Sequence, residues 1–224
     1  MKESSKTRQT WGPLELSILQ GSGIDIGCGP DPITADCDRF DLQDGDANEI
    51  SRFVSKRFDF VYSSHCLEHM RDPEAALRQW WTLVKPGGHL FFLVPDEDLY
   101  EQGVFPSRFN GDHKSTFTIS KASSWSPVSV NVLDLVTALP GSRLVSIKLQ
   151  DRNYDRRLSR HGALPPVPVW KKWLWYKYLE LRGRTSIRFR FAERWSERAF
   201  GLDQTLRPDV LAQIQCIVKK EAGS

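Results

Sequence analysis

The four cysteines, Cys28, Cys37, Cys66 and Cys216, form no CxxC pair, so the sequence predicts reduced, buried thiols and neither a disulfide framework nor a structural metal site. No long hydrophobic run is present. The longest, Leu90 to Val94, is far short of the about 20 residues a membrane span needs. Met1-Lys2-Glu3-Ser4-Ser5-Lys6 lacks the apolar core of a signal peptide, so a cytoplasmic protein is expected. With 224 residues, 40% hydrophobic and 26% charged, the chain suffices for one buried domain with an elaboration.

There is also little net charge, +3, but its distribution is uneven. Between Arg152 and Arg198 about thirteen Lys and Arg residues face four acids, Asp155, Glu180, Glu193 and Glu197, so the rest of the chain is net acidic.

What is present begins with Gly23-Ile24-Asp25-Ile26-Gly27-Cys28-Gly29-Pro30. A short β-branched run that ends in closely spaced glycines delivers backbone to a ligand at a strand's carboxyl end, because glycine turns at positive φ and lets a ligand lie on main-chain atoms. Met1 to Thr10 reads as polar and frayed, and Trp11 to Leu19 as a short helix or an extended lead-in. Cys37 to Leu42 is an acid-studded strand candidate, and Gly45-Asp46-Ala47-Asn48 a turn before a short helix at Glu49 to Ser55. Phe58-Asp59-Phe60-Val61-Tyr62 has high β-propensity and ends on Ser63-Ser64-His65. Asp72-Pro73 supplies an N-cap and a proline at the first helical position. Leu77, Trp80, Trp81 and Val84 recur at helical spacing until Lys85-Pro86-Gly87-Gly88. The apolar run that follows has the pattern of a strand covered on both faces. Strand, helix, strand implies parallel pairing through a right-handed crossover.

Asp96 to Phe117 reads as a long irregular loop, functional or disordered, Ser126-Pro127 as the start of a helix ending at Pro140-Gly141, and Arg143 to Leu149 as a strand. Ala212 to Val218 alternates again beside it. These readings place residues 1–150 with 209–224 in one domain and 151–208 in a helical, basic and aromatic insertion.

The order of Gly23 to Pro30, Phe58 to Val61, Leu67-Glu68-His69 with Asp72-Pro73, and Val84-Lys85-Pro86-Gly87-Gly88 resembles the class I S-adenosylmethionine-dependent methyltransferases. The resemblance implies an α/β fold: a doubly wound, mostly parallel, seven-stranded Rossmann-like sheet with an antiparallel last strand. It implies S-adenosylmethionine as cofactor, with Gly27, Cys28 and Gly29 against its methionine part and Asp25 orienting the turn or the ammonium group. Asp41, with Asp38 as runner-up, would take the ribose hydroxyls, because a carboxylate offers two acceptor oxygens to a vicinal diol. Asp46 and Ala47 would flank the adenine, and Ser63 and Ser64 end the strand beside the cofactor. One departure stands out: about a dozen residues, Pro30 and Pro32 among them, separate Gly29 from Asp41, too few for the family's usual full helix.

Methyl transfer from a sulfonium needs positioning, and a base only when the nucleophile must lose a proton. His65, where the family places acceptor-facing groups, and His113 in the long loop are the candidate bases, ahead of His69, whose Leu-Glu-His setting suits a packing role. The chain lacks the Asn/Asp-Pro-Pro-aromatic arrangement of base-amine methyltransferases and the Pro-Cys nucleophile of cytosine C5 chemistry, which disfavours nucleic-acid bases. The loop from Asp96 to Lys114 is similar to that of methyltransferases encoded with bacterial surface-polysaccharide pathways. O-methylation of a sugar or glycan hydroxyl is therefore the leading expectation. A non-catalytic cofactor-binding scaffold, and methylation of a small metabolite or of RNA ribose, are the alternatives. The Trp, Tyr, Lys and Arg of 152–198 suit peripheral contact with an anionic membrane, a lipid-linked acceptor or a nucleic-acid backbone, or packing on the core or on a second copy as a homodimer.

Overall fold

The computed structural model describes residues 3–159 and 203–223 and, between them, only positions 170, 173, 174, 177 and 178. The expected insertion, 151–208, therefore lies largely outside the described residues.

Helix α1 (Glu3–Arg8) comes first. It is not frayed as its composition suggested, because Ser4, Lys6 and Thr7 are buried and its side chains bond to distant parts of the fold. Helix α2 (Pro13–Ile18) follows with proline in its first turn and the Glu15 carboxylate accepting from Gly12 N at 3.1 Å, an arrangement that satisfies an otherwise orphaned amide. Strand β1 (Gly23–Ile26) then runs parallel to β2 (Asp38–Phe40). Residues 30–37 between them form bends and turns rather than a helix, as the two prolines require.

Strand β3 (Phe58–Ser64) lies on the other side of β1, also parallel. Helix α3 (Pro73–Thr82) is capped by the Asp72 carboxylate, which accepts from Ala75 N at 3.0 Å. It buries Leu77, Trp80 and Trp81, and each indole N–H finds a carbonyl: Trp80 that of Ala47 and Trp81 that of Pro140, both at 2.9 Å. Strand β4 (Val84–Pro95) returns parallel to β3, with Leu90 to Val94 buried on both faces.

The loop after β4 is more ordered than its sequence implied. Asp96 caps a wide helical turn at Glu97–Glu101, and β5 (Thr116–Thr118) pairs with β6 (Ser129–Asn131) in a separate two-stranded sheet. The helix expected from Pro127 starts later, as α4 (Val132–Thr137). Residues 129–131 are held extended by β5 and by the Ser129 hydroxyl bonding to the buried Glu97 carboxylate at 2.5 Å. Strand β7 (Ser142–Gln150) and strand β8 (Gln213–Lys220) complete the main sheet, with β8 antiparallel to both β4 and β7.

The main sheet has the order β2-β1-β3-β4-β8-β7: an α/β, mostly parallel sheet with an antiparallel last strand. Among the described residues it has six strands rather than the seven expected. Residues 41–57 beyond β2 fold as turns and a 3₁₀ segment at Ala47–Arg52, leaving β2 as the edge. One face carries α3 and α4 over Ile26, Val61, Leu90 and Phe92; the other packs Ile18, Leu19 and Ile33 on Phe60, Tyr62, Phe91 and Leu93. The register sets Ile26 beside Ser63, and Ser64 beside Leu93, while Gln213 opens β8 opposite Pro95. All the loops that can carry chemistry thus leave from one edge. No helix among the described residues is long and apolar enough to cross a membrane.

Gly23 illustrates how tightly β1 and β3 are fitted. A Cβ there would lie 1.9 Å from Phe60 Cζ, so Gly23→Ala should destabilise the fold by at least about 1–3 kcal/mol, the scale of core overpacking, as read from urea unfolding. An unchanged midpoint would mean the Phe60 ring does not sit on Gly23.

Candidate active site

The glycine turn follows β1 directly. Gly27 sits at φ 75° and Gly29 at φ 51°, conformations that favour glycine. The two serve different purposes. A Cβ on Gly27 would come within 2.8 Å of Cys66 Cβ and Sγ, whereas nothing lies within 4 Å of one on Gly29. Gly27 therefore lets the turn close on the loop after β3, and Gly29 leaves the space beside its Cα open.

Strand β2 grips the same turn. Gly27 N donates to Phe40 O at 2.8 Å and Gly29 N to Asp41 Oδ2 at 2.7 Å. The Arg39 guanidinium reaches back to Gly29 O and Cys28 Sγ. Asp41 stands just beyond the carboxyl end of β2. Asp38, at its amino end, is paired with Lys56 at 3.0 Å on an exposed surface.

Asp25 is fully buried; its Oδ2 accepts from Ile33 N at 2.7 Å, while Oδ1 has no donor. Burial, reinforced by the charges of Asp31 and Asp41 and only partly offset by the Ile33 bond and Arg39, raises its pKa to about 7. A buried acceptor without a donor beside an open glycine backbone fits a ligand that brings positive charge. Asp46 caps the 3₁₀ segment: its carboxylate accepts from Asn48 N at 2.9 Å and pairs with Arg71 at 3.0 Å. The Asn48 side-chain amide, which donates to the same carboxylate at 2.7 Å, together with the Asn48 N–H and Arg71, holds its pKa below the usual range. Ala47 offers its carbonyl to Trp80. Ser63 Oγ donates to Ile26 O at 2.9 Å, tying the ends of β3 and β1, and Ser64 closes β3 opposite Leu93.

Beyond the ends of β3 and β4 lies a cavity of about 280 Å³, with His65, Glu68, Tyr100, His113 and Gln213 on its wall and Glu3 and Lys6 of α1 across from them. His65 holds a left-handed backbone, φ 53°, uncommon for a residue with a side chain. Its Nε2 faces Gln213 Oε1 at 2.7 Å. The amide is oriented from behind, because Gln213 Nε2 donates to Thr7 Oγ1 at 3.0 Å and Gln150 Oε1 at 2.6 Å. The His65 Nε2 therefore carries a proton. Its Nδ1 lies 3.4 Å from the buried Glu68 carboxylate. Burial opposes a charge on His65, but Glu68 outweighs it, with help from Glu3 and Gln213, and lifts the pKa to about 9.

His113 is placed differently. Its Nδ1 donates to Glu101 Oε1 at 2.6 Å with both side chains buried, leaving Nε2 toward Glu68, 3.9 Å away. The ring stacks on Tyr100 at 5.4 Å between centroids. His69 Nδ1 bonds to Asp112 Oδ2 at 2.9 Å, and its ring meets His113 edge-on at 5.0 Å.

Residues 14–125, half of the chain, match the family described as a methyltransferase domain. The chain belongs to that family. The ubiquinone biosynthesis O-methyltransferase of Proteus mirabilis (strain HI4320) is 35% identical over 80 residues, which are 36% of this chain and 28% of that protein. The aligned part is thus less than a third of that relative's length. Among solved structures, a sarcosine dimethylglycine methyltransferase candidate from Galdieria sulphuraria superposes over 97% of this chain and 85% of its own, with a TM-score of 0.52 and 13% identity. A SAM-dependent methyltransferase from Archaeoglobus fulgidus does so over 98% and 95%, with a TM-score of 0.47 and 16% identity. The Galdieria likeness is one of fold.

In this methyltransferase His65 does not suit the role of general base expected of it. With both ring nitrogens facing acceptors, it is an imidazolium near neutral pH and has no lone pair to offer. Glu68, Glu101, Gln213 and helix α1 are site components that single-residue reading did not assign. The available signal was Gln213 and Gln215, polar at alternate positions of an otherwise apolar strand.

Asp25 has a pH signature. Its native pKa lies above the ordinary carboxylate value, so between the two the folded chain binds more protons than the unfolded one, and stability falls as pH rises. The ligand-free protein should lose roughly 2–4 kcal/mol from this group between pH 4 and pH 8, and Asp25→Asn should flatten that slope in denaturant titrations. An identical slope in the variant would mean Asp25 is ionised throughout.

Proposed function

We propose that this methyltransferase moves the methyl group of S-adenosylmethionine onto a hydroxyl of a small polar acceptor, a sugar or glycan unit, bound in the cavity beyond the ends of β3 and β4. One observation carries the reading. The cavity wall combines hydrogen-bonding and ionisable groups, Glu3, Lys6, Glu68 and His113, with the Tyr100 and Phe109 rings, the mixture that suits hydroxyls on one side of a ring and C–H faces on the other. The O-methyltransferase relative supports oxygen as the acceptor atom.

The cofactor, when bound, supplies a methyl group already activated by the sulfonium charge. The protein's part is to hold and aim. We assign the turn at Gly27, Cys28 and Gly29 to the methionine part, with Asp25 behind it as the carboxylate that would face the ammonium group, and Asp41, which holds the Gly29 amide beyond the carboxyl end of β2, to the ribose diol. We assign Asp46 and Ala47 to the adenine, and Ser63 and Ser64 to the strand end beside the cofactor. The attacking hydroxyl has to shed a proton, and His113, oriented by Glu101, is the imidazole placed to serve it. Catalysis is then chiefly a matter of alignment on the methyl axis.

Transfer of labelled methyl from S-adenosylmethionine to a panel of sugars, glycans, small phenols and RNA tests the reading; no labelled product would favour a cofactor-binding scaffold. Asp41→Ala should weaken cofactor binding by about 1–3 kcal/mol in calorimetry, and unchanged affinity would remove Asp41 from the ribose. His113→Asn should lower kcat by roughly 10²–10⁴ with cofactor Kd unchanged, and equal loss of both would make its role structural.

A second contact follows from the aromatic stretch. Trp170, Trp173 and Leu174 are helical and more than half exposed, in a segment rich in Lys and Arg, which supports peripheral binding to an anionic membrane. Vesicles containing phosphatidylglycerol should retain the protein at low salt and release it at high salt. Retention that ignores salt or lipid charge would rule this out.

A further inference from the structure

The loop after β3 and the loop after β4 bring together Glu68, His69 and His113. One ligand-type atom from each of these side chains lies within 4.8 Å of the others. Each imidazole has its Nδ1 engaged by a carboxylate from behind, His113 by Glu101 at 2.6 Å and His69 by Asp112 at 2.9 Å. That fixes Nε2 as the free ligand atom of both rings and is the outer-shell pattern of metal-binding histidines. Glu68, 1% exposed, has no hydrogen-bond donor on either carboxylate oxygen. His65 Nδ1 approaches Glu68 Oε1 only to 3.4 Å, and on the side of the cluster the carboxylate meets the His113 Nε2 lone pair at 3.9 Å, acceptor against acceptor, which a cation between them resolves.

We propose that Glu68, His69 and His113 bind a divalent transition cation, with Zn2+ the best match to two imidazoles and one carboxylate. Two ligands of a tetrahedral ion with bonds of about 2.0–2.1 Å stand about 3.4 Å apart. The 3.9 Å between His113 Nε2 and Glu68 Oε1 therefore closes with small side-chain movements. Three protein ligands leave a fourth position, and Glu68 and His113 both line the cavity. With the ion bound, His113 Nε2 is a ligand and the ion takes over the part of the base. The fourth position would take the acceptor's hydroxyl oxygen, which the ion polarises so that its proton passes to solvent as the O–CH3 bond forms and the S–CH3 bond breaks with its electron pair left on sulfur. The ion's role rests on the methyl-transfer reading; the binding does not.

The full-length protein, stripped with chelator and dialysed, is titrated with Zn2+ by calorimetry and with Co2+ by visible absorption, without cofactor or acceptor. One equivalent should bind, with d–d bands of a low-coordinate Co2+ and no thiolate-to-cobalt charge transfer. Glu68→Gln and His69→Asn should each raise Kd at least tenfold, Glu101→Gln about 10- to 100-fold, and His89→Asn, on β4 outside the cluster, should leave Kd unchanged. His69 is half-buried, so His69→Asn serves if Glu68→Gln does not fold, with circular dichroism as the check. No saturable binding, or wild-type Kd in both ligand variants, would overturn the site. Undiminished methyl transfer by ion-free protein would overturn the ion's role and leave the transfer reading standing. Zn2+ binding without any methyl transfer would uphold the site and count against that reading.

Discussion

Glu68 is the residue on which the two halves of the candidate site depend. Its backbone carbonyl accepts from Lys114 N at 2.8 Å and Ser115 N at 3.3 Å, stitching the loop after β4 to the turn after β3. Its side chain faces His65 and His113 at 3.4 and 3.9 Å. Burial alone would raise the carboxyl's pKa, but the His65 imidazolium 3.4 Å away, above all, lowers it instead. A buried carboxylate of this kind is costly unless its surroundings compensate. Compensation here comes from three histidines on two loops, which explains how loops so far apart in sequence hold a common geometry.

The cofactor side is organised by a different economy. A full helix between β1 and β2 would bring an N-terminus to the glycine turn, and here that helix is absent. Polar side chains do the work of alignment: Asp41 takes the Gly29 amide, Arg39 binds the Gly29 carbonyl, and Asp25 pins Ile33. The Ile33 side chain, buried at 2% exposure, then fills part of the apolar face that a helix would cover. The turn is held by charge and hydrogen bonds and not by secondary structure, so its ionisable groups carry a larger share of its stability.

Much of the fold was legible. Leu90 to Val94 marked the central strand because burial on both faces demands a continuous apolar run, and Asp72-Pro73 marked the start of α3 because caps are local chemistry; its end came earlier than expected, at Thr82, since Val84 to Gly88 already belong to β4. Alternation marked the last strand and its neighbour at Arg143, while their antiparallel pairing was an implication of the family resemblance. The site was less so. Glu101 and His113 are twelve positions apart, and only the turn at Glu97–Glu101 brings them to 2.6 Å. Gln213 meets His65 across 148 positions through the register of β8. The start of α4 was misplaced because Val128 fits the helical spacing of Val132, Leu135 and Val136, while its surroundings are claimed by the β5 pairing. Local pattern predicts elements; it does not predict which partner a polar side chain finds.

Helix α1 shows the same principle at its limit. Six residues, Glu3-Ser4-Ser5-Lys6-Thr7-Arg8, with no apolar stripe would not form a stable helix in water. What orders them is tertiary. Ser5 bonds to Asp31 at 2.8 and 2.5 Å, Lys6 Nζ to Thr205 O at 2.8 Å and Arg8 to Ile33 O at 2.9 Å, while Thr7 takes the Gln213 amide that orients His65. Asp31 and Ile33 belong to the segment behind the glycine turn, and Gln213 to the cavity wall. The helix therefore bridges the cofactor side and the acceptor side, and its order depends on both being in place. A segment whose helicity is supplied by the site it covers folds with that site as one unit, which ties access to the cavity to the same hydrogen bonds that set its chemistry.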